Sequence, residues 1–168
     1  MSATAHPQFA LRPFLLEDTP LLAEIFRASI EELTADDYTE GARQAWASAA
    51  DDEEAFARRL GGQLTLIATM NGSPVGFASL ANNETVDLIY VHPAVAGQGA
   101  GTMLVDALEK LSLARGAKRL TADVSDSAQD FFKKRGFSAQ QRNTVLRGGE
   151  WLANTTMDKT LAAAQGAA

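Results

Sequence analysis

The sequence predicts a mixed α/β fold, in which a mostly antiparallel, twisted sheet of about seven strands is flanked by helices. Three patterns lead to this prediction: a run of three β-rich segments with short connections over residues 64–91, a strand–helix–strand unit around a Gly-rich loop, and a hairpin near the end of the chain. Strands joined by short turns pair antiparallel, whereas a strand–helix–strand crossover makes its two strands parallel. We therefore expect one parallel pair inside an otherwise antiparallel sheet.

The first part of the chain is predicted to form one strand and three helices. A short strand covers residues 9–14, and the first helix begins at Asp18 or Thr19, whose side chains are favoured caps. Its apolar stripe at helical spacing consists of Leu21, Leu22, Ile25, Phe26, Ile30 and Leu33. A second helix is expected over residues 38–46 and a third over residues 51–61, where Gly-Gly ends it.

The rest of the chain alternates strands with two helices. Strands are predicted over residues 64–70, 75–81 and 85–91, because β-forming residues lie there between turn signals such as Asn-Gly-Ser-Pro. The helix after the Gly-rich loop carries Leu104, Ala107, Leu108 and Leu111 on one face and ends at Gly116. The remaining elements are a strand over 118–124, a short helix over 127–135, and a hairpin of strands over 137–146 and 151–159.

Composition limits the classes of protein to which the chain can belong. The 168 residues suit a single domain over 1–168, with loose tails at 1–7 and 162–168. The absence of cysteine excludes disulfides, thiolate metal sites and a cysteine nucleophile. No cluster of His, Asp and Glu residues has the spacing of metal ligands, so we expect no metal site. A net charge of −6 argues against nucleic-acid binding. No signal-peptide pattern and no apolar run of the ~20 residues of a membrane span occurs, so we expect a cytoplasmic protein without a membrane partner.

The most informative stretch is the apolar strand ending in His92-Pro93, the Gly-rich loop Gly97-Gln98-Gly99-Ala100-Gly101, and the helix that follows. This order creates a helix N-terminus whose free backbone N–H groups attract phosphate. A dinucleotide fingerprint fails because Thr102 stands where the third glycine is needed, and a P-loop fails because no lysine precedes Thr102. A glycine-eased helix start without a ligand is the alternative interpretation.

With its surroundings, this loop resembles the GNAT superfamily of N-acetyltransferases, and the resemblance extends over nearly the whole chain. The segment His92-Pro93-x-x-x-Gly97-Gln98-Gly99-Ala100-Gly101 is similar to the acetyl-CoA pyrophosphate loop of that family. About 25 residues later, Val124-x-x-x-Ala128-x-x-Phe131-Phe132-x-x-x-Gly136-Phe137 is similar to its second signature. The two together are more specific than either alone. Weaker similarities place the chain in an uncharacterised bacterial branch.

The resemblance implies a set of cofactor-binding residues. Backbone N–H groups of Gly97, Gln98, Gly99, Ala100, Gly101 and Thr102 would hold the pyrophosphate of acetyl-CoA, the co-substrate. The strand end Ile89, Tyr90 and Val91 would pair with the pantetheine arm, and Ser125 falls where many members carry Asn near the thioester. Two residues depart from the family pattern. Ala96 replaces a frequent Gln or Arg, and Phe132 replaces the tyrosine that protonates the departing thiolate in many members.

Acetylation of an amine requires a proton acceptor, because the amine is protonated at neutral pH. We consider Asp87 first and Glu84 second, since Asp87 lies on the strand next to the expected thioester. Strand alternation places Asp87 on one face with Ile89 and Val91. A solvated carboxylate without a catalytic role is the alternative for Asp87.

Tyr38 is the candidate to replace the missing acid or to line the substrate pocket together with Trp46. Packing of a helical hairpin by these two aromatic residues is an equally good interpretation. For Asp123 and Asp126, near the crossover, a role as helix caps is an equally good interpretation. The basic residues at 133–135 more often form a solvated helix end that favours the helix dipole, and one of them is also a candidate contact for a CoA phosphate.

The sequence thus predicts an acetyl-CoA-dependent N-acetyltransferase, an acyltransferase that moves an acetyl group to a primary amine by direct attack in a ternary complex. The main alternative is a non-catalytic acyl-CoA-binding module or sensor, which Phe132 motivates. Transfer of a longer acyl group is a further alternative. The acceptor is expected to be a small-molecule or peptide amine, and family analogy suggests a homodimer through the closing strands.

Overall fold

The computed structural model describes residues 8–161, so the tails predicted at 1–7 and 162–168 lie outside the described residues. Over this range the chain forms one seven-stranded sheet with the strand order β1-β2-β3-β4-β5-β7-β6. The strands are β1 (Phe9–Pro13), β2 (Leu64–Met70), β3 (Ser73–Ala81), β4 (Thr85–Val91), β5 (Arg119–Ser125), β6 (Ser138–Arg147) and β7 (Glu150–Thr160). The α-helices are α1 (Thr19–Leu33), α2 (Glu40–Ala47), α3 (Glu53–Gly61), α4 (Ala100–Ala114) and α5 (Gln129–Lys134). The predicted order of elements and the mixed α/β class are confirmed.

The pairing of β4 with β5 is parallel, as predicted for the crossover through α4, and every other strand pair is antiparallel. The parallel register is short, since it joins only Thr85 to Thr121 and Val86 to Ala122. Beyond these pairs, within the described residues, β4 pairs only with β3 and β5 only with β7. The two strands therefore leave a gap in the sheet at their carboxyl ends.

Helices cover the two faces of the sheet, and each face has its own core. On one face α4 buries Leu104, Val105 and Leu108 against the strands, and on the other α1 and α3 bury residues such as Phe26 and Phe56. Burial of one large apolar side chain contributes about 1.5–3 kcal/mol, so these cores dominate the stability of the fold. None of the helices in the described part of the chain is long and apolar enough to span a membrane.

Two residues of the stripe predicted for α1 are not buried. Leu21 is 48% exposed and Leu33 is 42% exposed, whereas Ala23 and Ser29 take buried positions instead. Leu33 is the last residue of the helix and borders the gap between β4 and β5, where the sheet no longer covers it. The buried stripe is therefore shifted relative to the apolar pattern, since it includes Ala23 and Ser29 and leaves out Leu21 and Leu33.

A bulge in β4 changes the face to which Asp87 belongs. Ser79 of β3 pairs with Leu88 and Leu80 pairs with Val86, so Asp87 is the extra residue between them. Val86 packs in the α4 core, while Leu88 packs in the α1–α3 core. The alternation predicted to place Asp87 beside Ile89 and Val91 is wrong, because the bulge turns Asp87 towards α3.

Candidate active site

The Gly-rich loop forms an open cradle at the beginning of α4. Gly97 and Gly99 have φ values of 78° and 103°, in the left-handed region that favours glycine. Gly99 is the N-cap of α4 and supplies no side-chain cap. The first backbone hydrogen bond of the helix runs from Met103 N–H to Gly99 O, so the N–H groups of Ala100, Gly101 and Thr102 precede the hydrogen-bonded turns. These groups can bind an anion.

His92, which precedes Pro93, shapes the approach to the loop. Its Nδ1 accepts a hydrogen bond from Ala94 N–H at 3.0 Å and so caps the short 3-10 turn Pro93–Val95. The Gln98 side chain donates to Ala94 O at 3.4 Å and is exposed. The Gln98 N–H donates to Val95 O at 3.3 Å, so both the backbone donor and the side chain of Gln98 brace this turn, and its predicted N–H contact with a phosphate is not available in this arrangement.

Helix α5 forms the other wall of this cradle. A Cβ on Gly101 would lie 3.3 Å from the Phe131 ring, so glycine permits close packing there. The Arg135 guanidinium stacks 4.3 Å from the centre of that ring and donates to Thr102 Oγ1. Its Nε is buried and has no hydrogen-bond partner within the described residues. We call this space the loop cavity; it is lined by Val91, Val95, Ala96, Gly97, Gly99, Ala100, Gly101, Thr102, Phe131, Lys134 and Arg135.

The gap between β4 and β5 forms a cleft that begins at the loop cavity. Ile89, Val91 and Ser125 all line it, as do Ala96, Gly97 and Gly101 from the loop. On its β4 side, the backbone after Val86 lacks a neighbouring strand across the gap. An extended chain can therefore lie against β4 as an added strand would.

The Tyr90 ring packs on the opposite face from Ile89 and Val91. It meets Phe26 edge-on at 4.6 Å between ring centres, and its hydroxyl accepts a hydrogen bond from Trp46 Nε1 at 3.2 Å. Burial, opposed by that hydrogen bond, raises the pKa of Tyr90 to about 12. Tyr90 therefore supports the wall of the site as a neutral phenol, and only its backbone lies along β4 beside the cleft.

A third space, which we call the side cavity, has a volume of about 190 Å³. It is lined by Phe26, Tyr38, Trp46, Ala49, Arg59, Asp87, Leu88, Tyr90, Asp123, Ser125, Val145, Arg147, Leu152, Ala153 and Asn154. It shares Trp46, Asp87, Tyr90, Asp123 and Ser125 with the cleft. The loop cavity, the cleft and the side cavity are thus continuous.

The Asp87 carboxylate faces the side cavity and already accepts three hydrogen bonds. Arg59 donates to its two oxygens at 2.8 and 3.0 Å, and Gln63 donates to one of them at 2.9 Å. Burial tends to raise the pKa of Asp87, but the hydrogen bonds from Arg59 and Gln63 outweigh it and the pKa lies below its ordinary value. Asp87 is therefore a stable anion and a weak proton acceptor.

Asp123, for which a helix cap is one interpretation of the sequence, lies at the junction of the cleft and the side cavity. Within the described residues, its carboxylate accepts one side-chain hydrogen bond, from Thr156 Oγ1 at 2.7 Å. Thr156 in turn accepts from Asn143 Nδ2 at 2.8 Å, which fixes the direction of its hydroxyl. The sequence signal for this position is that Asp123 lies near the end of the strand predicted over residues 118–124, two residues before Ser125.

Tyr38 is buried, and both hydrogen-bonding capacities of its hydroxyl are used. The hydroxyl donates to Ala153 O and accepts from Asp126 N–H at 2.9 Å. Its ring packs edge-on against Trp46 at 5.4 Å, and burial raises its pKa above the ordinary value. This pattern supports the interpretation of Tyr38 as a wall of the pocket rather than as a free acid.

The structure also places Phe132, Glu84 and Asp126, which the sequence analysis singled out. Phe132 is buried in the α4 core, where its ring packs edge-on against Phe131 and Phe137. Glu84 is exposed at the beginning of β4, at the end of the strand opposite the cleft. Asp126 does not act as a cap, because its carboxylate pairs with Arg142.

Comparisons with known proteins agree with this architecture. The model of a family described as acetyltransferase (GNAT) domain matches residues 34–161. A peptidyl-lysine N-acetyltransferase, YjaB of Salmonella typhimurium, is 32% identical over 124 residues, which are 74% of this chain and 69% of that protein.

Solved structures give the same result. The crystal structure of a GCN5-related N-acetyltransferase from Rhodopseudomonas palustris is 61% identical, covers 96% of this chain and 99% of its own, and superposes with a TM-score of 0.91. PaiA N-acetyltransferase from Thermoplasma acidophilum, solved in complex with coenzyme A, is 21% identical and shares the fold, with a TM-score of 0.75 over 91% of this chain and 99% of its own.

Proposed function

The chain belongs to the GNAT acetyltransferase family and is an N-acetyltransferase, and on this premise we propose that it acetylates a primary amine by direct attack on acetyl-CoA in a ternary complex. The observation that carries the proposal is the continuity of three spaces. The loop cavity suits a pyrophosphate, the cleft suits an extended arm, and the side cavity suits an acceptor. Both substrates can then be bound at once, with their reacting atoms near the residues shared by the cleft and the side cavity.

The beginning of α4 would hold the pyrophosphate. The N–H groups of Ala100, Gly101 and Thr102 lie in the first turn of the helix, and each hydrogen bond to a charged oxygen contributes about 1.5–3 kcal/mol. Gln98 N–H already donates to Val95 O at 3.3 Å, so it is not free for the pyrophosphate. Arg135 adds a positive charge whose Nε has no partner within the described residues. The structure of PaiA contains coenzyme A, which supports a CoA ligand for this fold.

The cleft would hold the pantetheine arm against β4. The backbone of Ile89 and Val91 offers the hydrogen-bonding edge of a strand that has lost its parallel neighbour after Val86. Ser125, at the end of β5, faces the same space and lies beside the expected thioester. An arm fixed in this way would deliver the thioester carbonyl to the opening of the side cavity.

Asp123 is the carboxylate that we propose to receive the proton of the ammonium group. In the part of the chain that the structure describes, Asp123 accepts one hydrogen bond from a neutral side chain, whereas Asp87 accepts hydrogen bonds from the Arg59 cation and from Gln63. After loss of that proton, the amine nitrogen attacks the thioester carbon. A C–N bond forms, the C–S bond breaks, and CoA leaves as a thiolate that takes the second proton of the nitrogen.

The absence of a tyrosine at Phe132 does not prevent this reaction. A thiol has an ordinary pKa of about 8.5, so a thiolate is a fair leaving group without a dedicated acid. Much of the rate can come from holding the amine and the thioester together in the correct geometry. In this proposal Tyr38 lines the acceptor pocket, and Asp87 holds Arg59 in place as a positioning residue.

Calorimetric titration of acetyl-CoA and CoA, followed by a panel of amines with detection of free thiol, tests the proposal. We expect micromolar binding of both ligands and release of CoA that depends on an amine. Failure to bind either ligand would overturn the proposal. Binding without transfer to any amine would support the acyl-CoA-binding module instead, the role that Phe132 favours.

A further inference from the structure

Two opposite charges face the side cavity without an ionic partner among residues 8–161. Of the four charged side chains that line it, Arg59 and Asp87 neutralise each other in a two-point ion pair. Asp123 is bonded only through the hydroxyl of Thr156, and Arg147 makes no hydrogen bond or ion pair with any residue in the described range. The cavity therefore presents one free carboxylate and one free guanidinium.

These two groups recognise complementary chemistry on one ligand. A carboxylate binds an ammonium group, and a guanidinium binds a carboxylate through paired hydrogen bonds. From this pairing we infer that the acceptor is a small zwitterionic amine of the amino-acid class, whose ammonium group meets Asp123 and whose carboxylate meets Arg147. The inference rests on the proposed function and specifies the acceptor of that same site.

The size and lining of the cavity support a small acceptor. Its volume of about 190 Å³ is below the roughly 300–1,000 Å³ of pockets for drug-sized ligands. Tyr38, Trp46 and Leu152 give it apolar walls for a side chain. A lysine side chain within a peptide has no adjacent free carboxylate, so it would leave Arg147 without a partner.

The position of Arg147 suits a role in binding the acceptor and not in the catalytic step. It is exposed at the last residue of β6, whereas Asp123 lies at the junction with the cleft. Arg147 takes no part in the bond changes, so its removal is expected to weaken binding of the acceptor while the catalytic step continues.

The test compares each common L-amino acid with its amide, which keeps the amine and side chain but removes the carboxylate charge. At saturating acetyl-CoA, we expect at least one acid to exceed its amide in kcat/KM by about 10-fold or more, as the loss of one charge-assisted contact implies. Arg147→Gln is expected to abolish this preference through KM, with kcat and the acetyl-CoA affinity retained. Arg58→Gln, at an exposed site on α3 that does not line the cavity, is the matched control and should keep the preference.

The possible results separate this inference from the proposed function. Equal or better rates with amides, or a preference that survives Arg147→Gln, would overturn the zwitterionic acceptor. Binding of acetyl-CoA with no acetylation of any amino acid would overturn it as well, while leaving the cofactor assignment intact. A protein that binds neither CoA nor acetyl-CoA would overturn the proposed function itself.

Discussion

The Asp87 carboxylate accepts two hydrogen bonds from the Arg59 guanidinium, at N–O distances of 2.8 and 3.0 Å. This pairing, together with Gln63, keeps the pKa of Asp87 below its ordinary value even though burial opposes it. A carboxylate held as an anion in this way has little tendency to take a proton at neutral pH. Asp123, which faces the same junction with a single neutral donor, is better suited to that step.

Substitution of the two carboxylates distinguishes their roles. We expect Asp123→Asn to lower kcat by about 100-fold or more, because a general base contributes about 10²–10⁴. The matched variant Asp87→Asn should lower kcat by less than about 10-fold, since it removes a positioning contact. Steady-state kinetics at saturating substrates, with calorimetry to confirm that both variants bind acetyl-CoA, checks this. A larger loss of kcat in Asp87→Asn than in Asp123→Asn would indicate that Asp87 is the general base, as the sequence suggested.

The Tyr38→Phe variant tests whether the Tyr38 hydroxyl acts as a general acid or only supports the wall of the pocket. The variant removes the donor to Ala153 O and the acceptor for Asp126 N–H, so we expect stability to fall by about 1–3 kcal/mol. If the hydroxyl only supports the wall, kcat should change by less than about 10-fold. Denaturant unfolding and initial rates on the same preparation measure both effects. A drop in kcat of about 100-fold or more with little loss of stability would contradict the structural role.

Local patterns predicted most of the fold. The bounds of β2 and β4 are those expected from turn residues and β-forming runs, and Thr39 and Asp52 cap α2 and α3 through their side chains. The face of Asp87 could not be predicted, because the bulge arises from the register between β3 and β4. That register depends on contacts between strands rather than on the sequence of either strand.

The sequence predicted the position of the Gly-rich loop in the fold, because the residues of the loop are contiguous. The loop from Gly97 to Thr102 is a short segment whose glycines indicate a close backbone approach, and its placement at the beginning of α4 is confirmed. The partners of the carboxylates come from distant elements, since Arg59 is 28 residues from Asp87 and Thr156 is 33 residues from Asp123. Such pairs become visible only once the helix and strand packing is known.

Arg135 is expected to strengthen binding of acetyl-CoA. Its guanidinium is held over the Phe131 ring and bonded to Thr102 at the beginning of α4, next to the proposed pyrophosphate site. We expect Arg135→Met to raise the Kd of acetyl-CoA by about 10-fold or more, as the loss of one charge-assisted hydrogen bond implies. Calorimetry measures the change, and Arg115→Met, at the exposed opposite end of α4, is the control. Equal affinities of the two variants would exclude Arg135 from the site.

The ion pair between Arg12 and Asp18 should make stability depend on pH. Two hydrogen bonds of 2.8 Å from Arg12, and one from Leu15 N–H, lower the pKa of Asp18 in the folded state although burial opposes them. A lowered folded pKa gives stability that is complete above the unfolded value of about 3.9 and is lost as the pH falls through the folded value.

Asp18→Asn is therefore expected to cost about 1.5–3 kcal/mol of unfolding free energy at pH 7. The difference from the wild type should shrink below about pH 4, where the wild-type carboxylate also becomes neutral. Urea unfolding at several pH values gives the comparison. A difference that stays constant with pH would show that the side chain acts through packing rather than charge.

Ser79 and Ser112 form a matched pair of buried serines with opposite expected effects. Both are 0% exposed, but Ser79 Oγ has no hydrogen-bond partner within the described residues, whereas Ser112 Oγ donates to Asn83 O at 2.6 Å. An unsatisfied buried hydroxyl carries a desolvation cost of about 1–3 kcal/mol, so Ser79→Ala should stabilise the protein. Ser112→Ala should destabilise it, because the bond to Asn83 is lost and its carbonyl is left without that donor. Thermal and urea unfolding of the two variants measures both changes in stability. A loss of stability in Ser79→Ala would mean that the Ser79 hydroxyl has a partner such as a buried water.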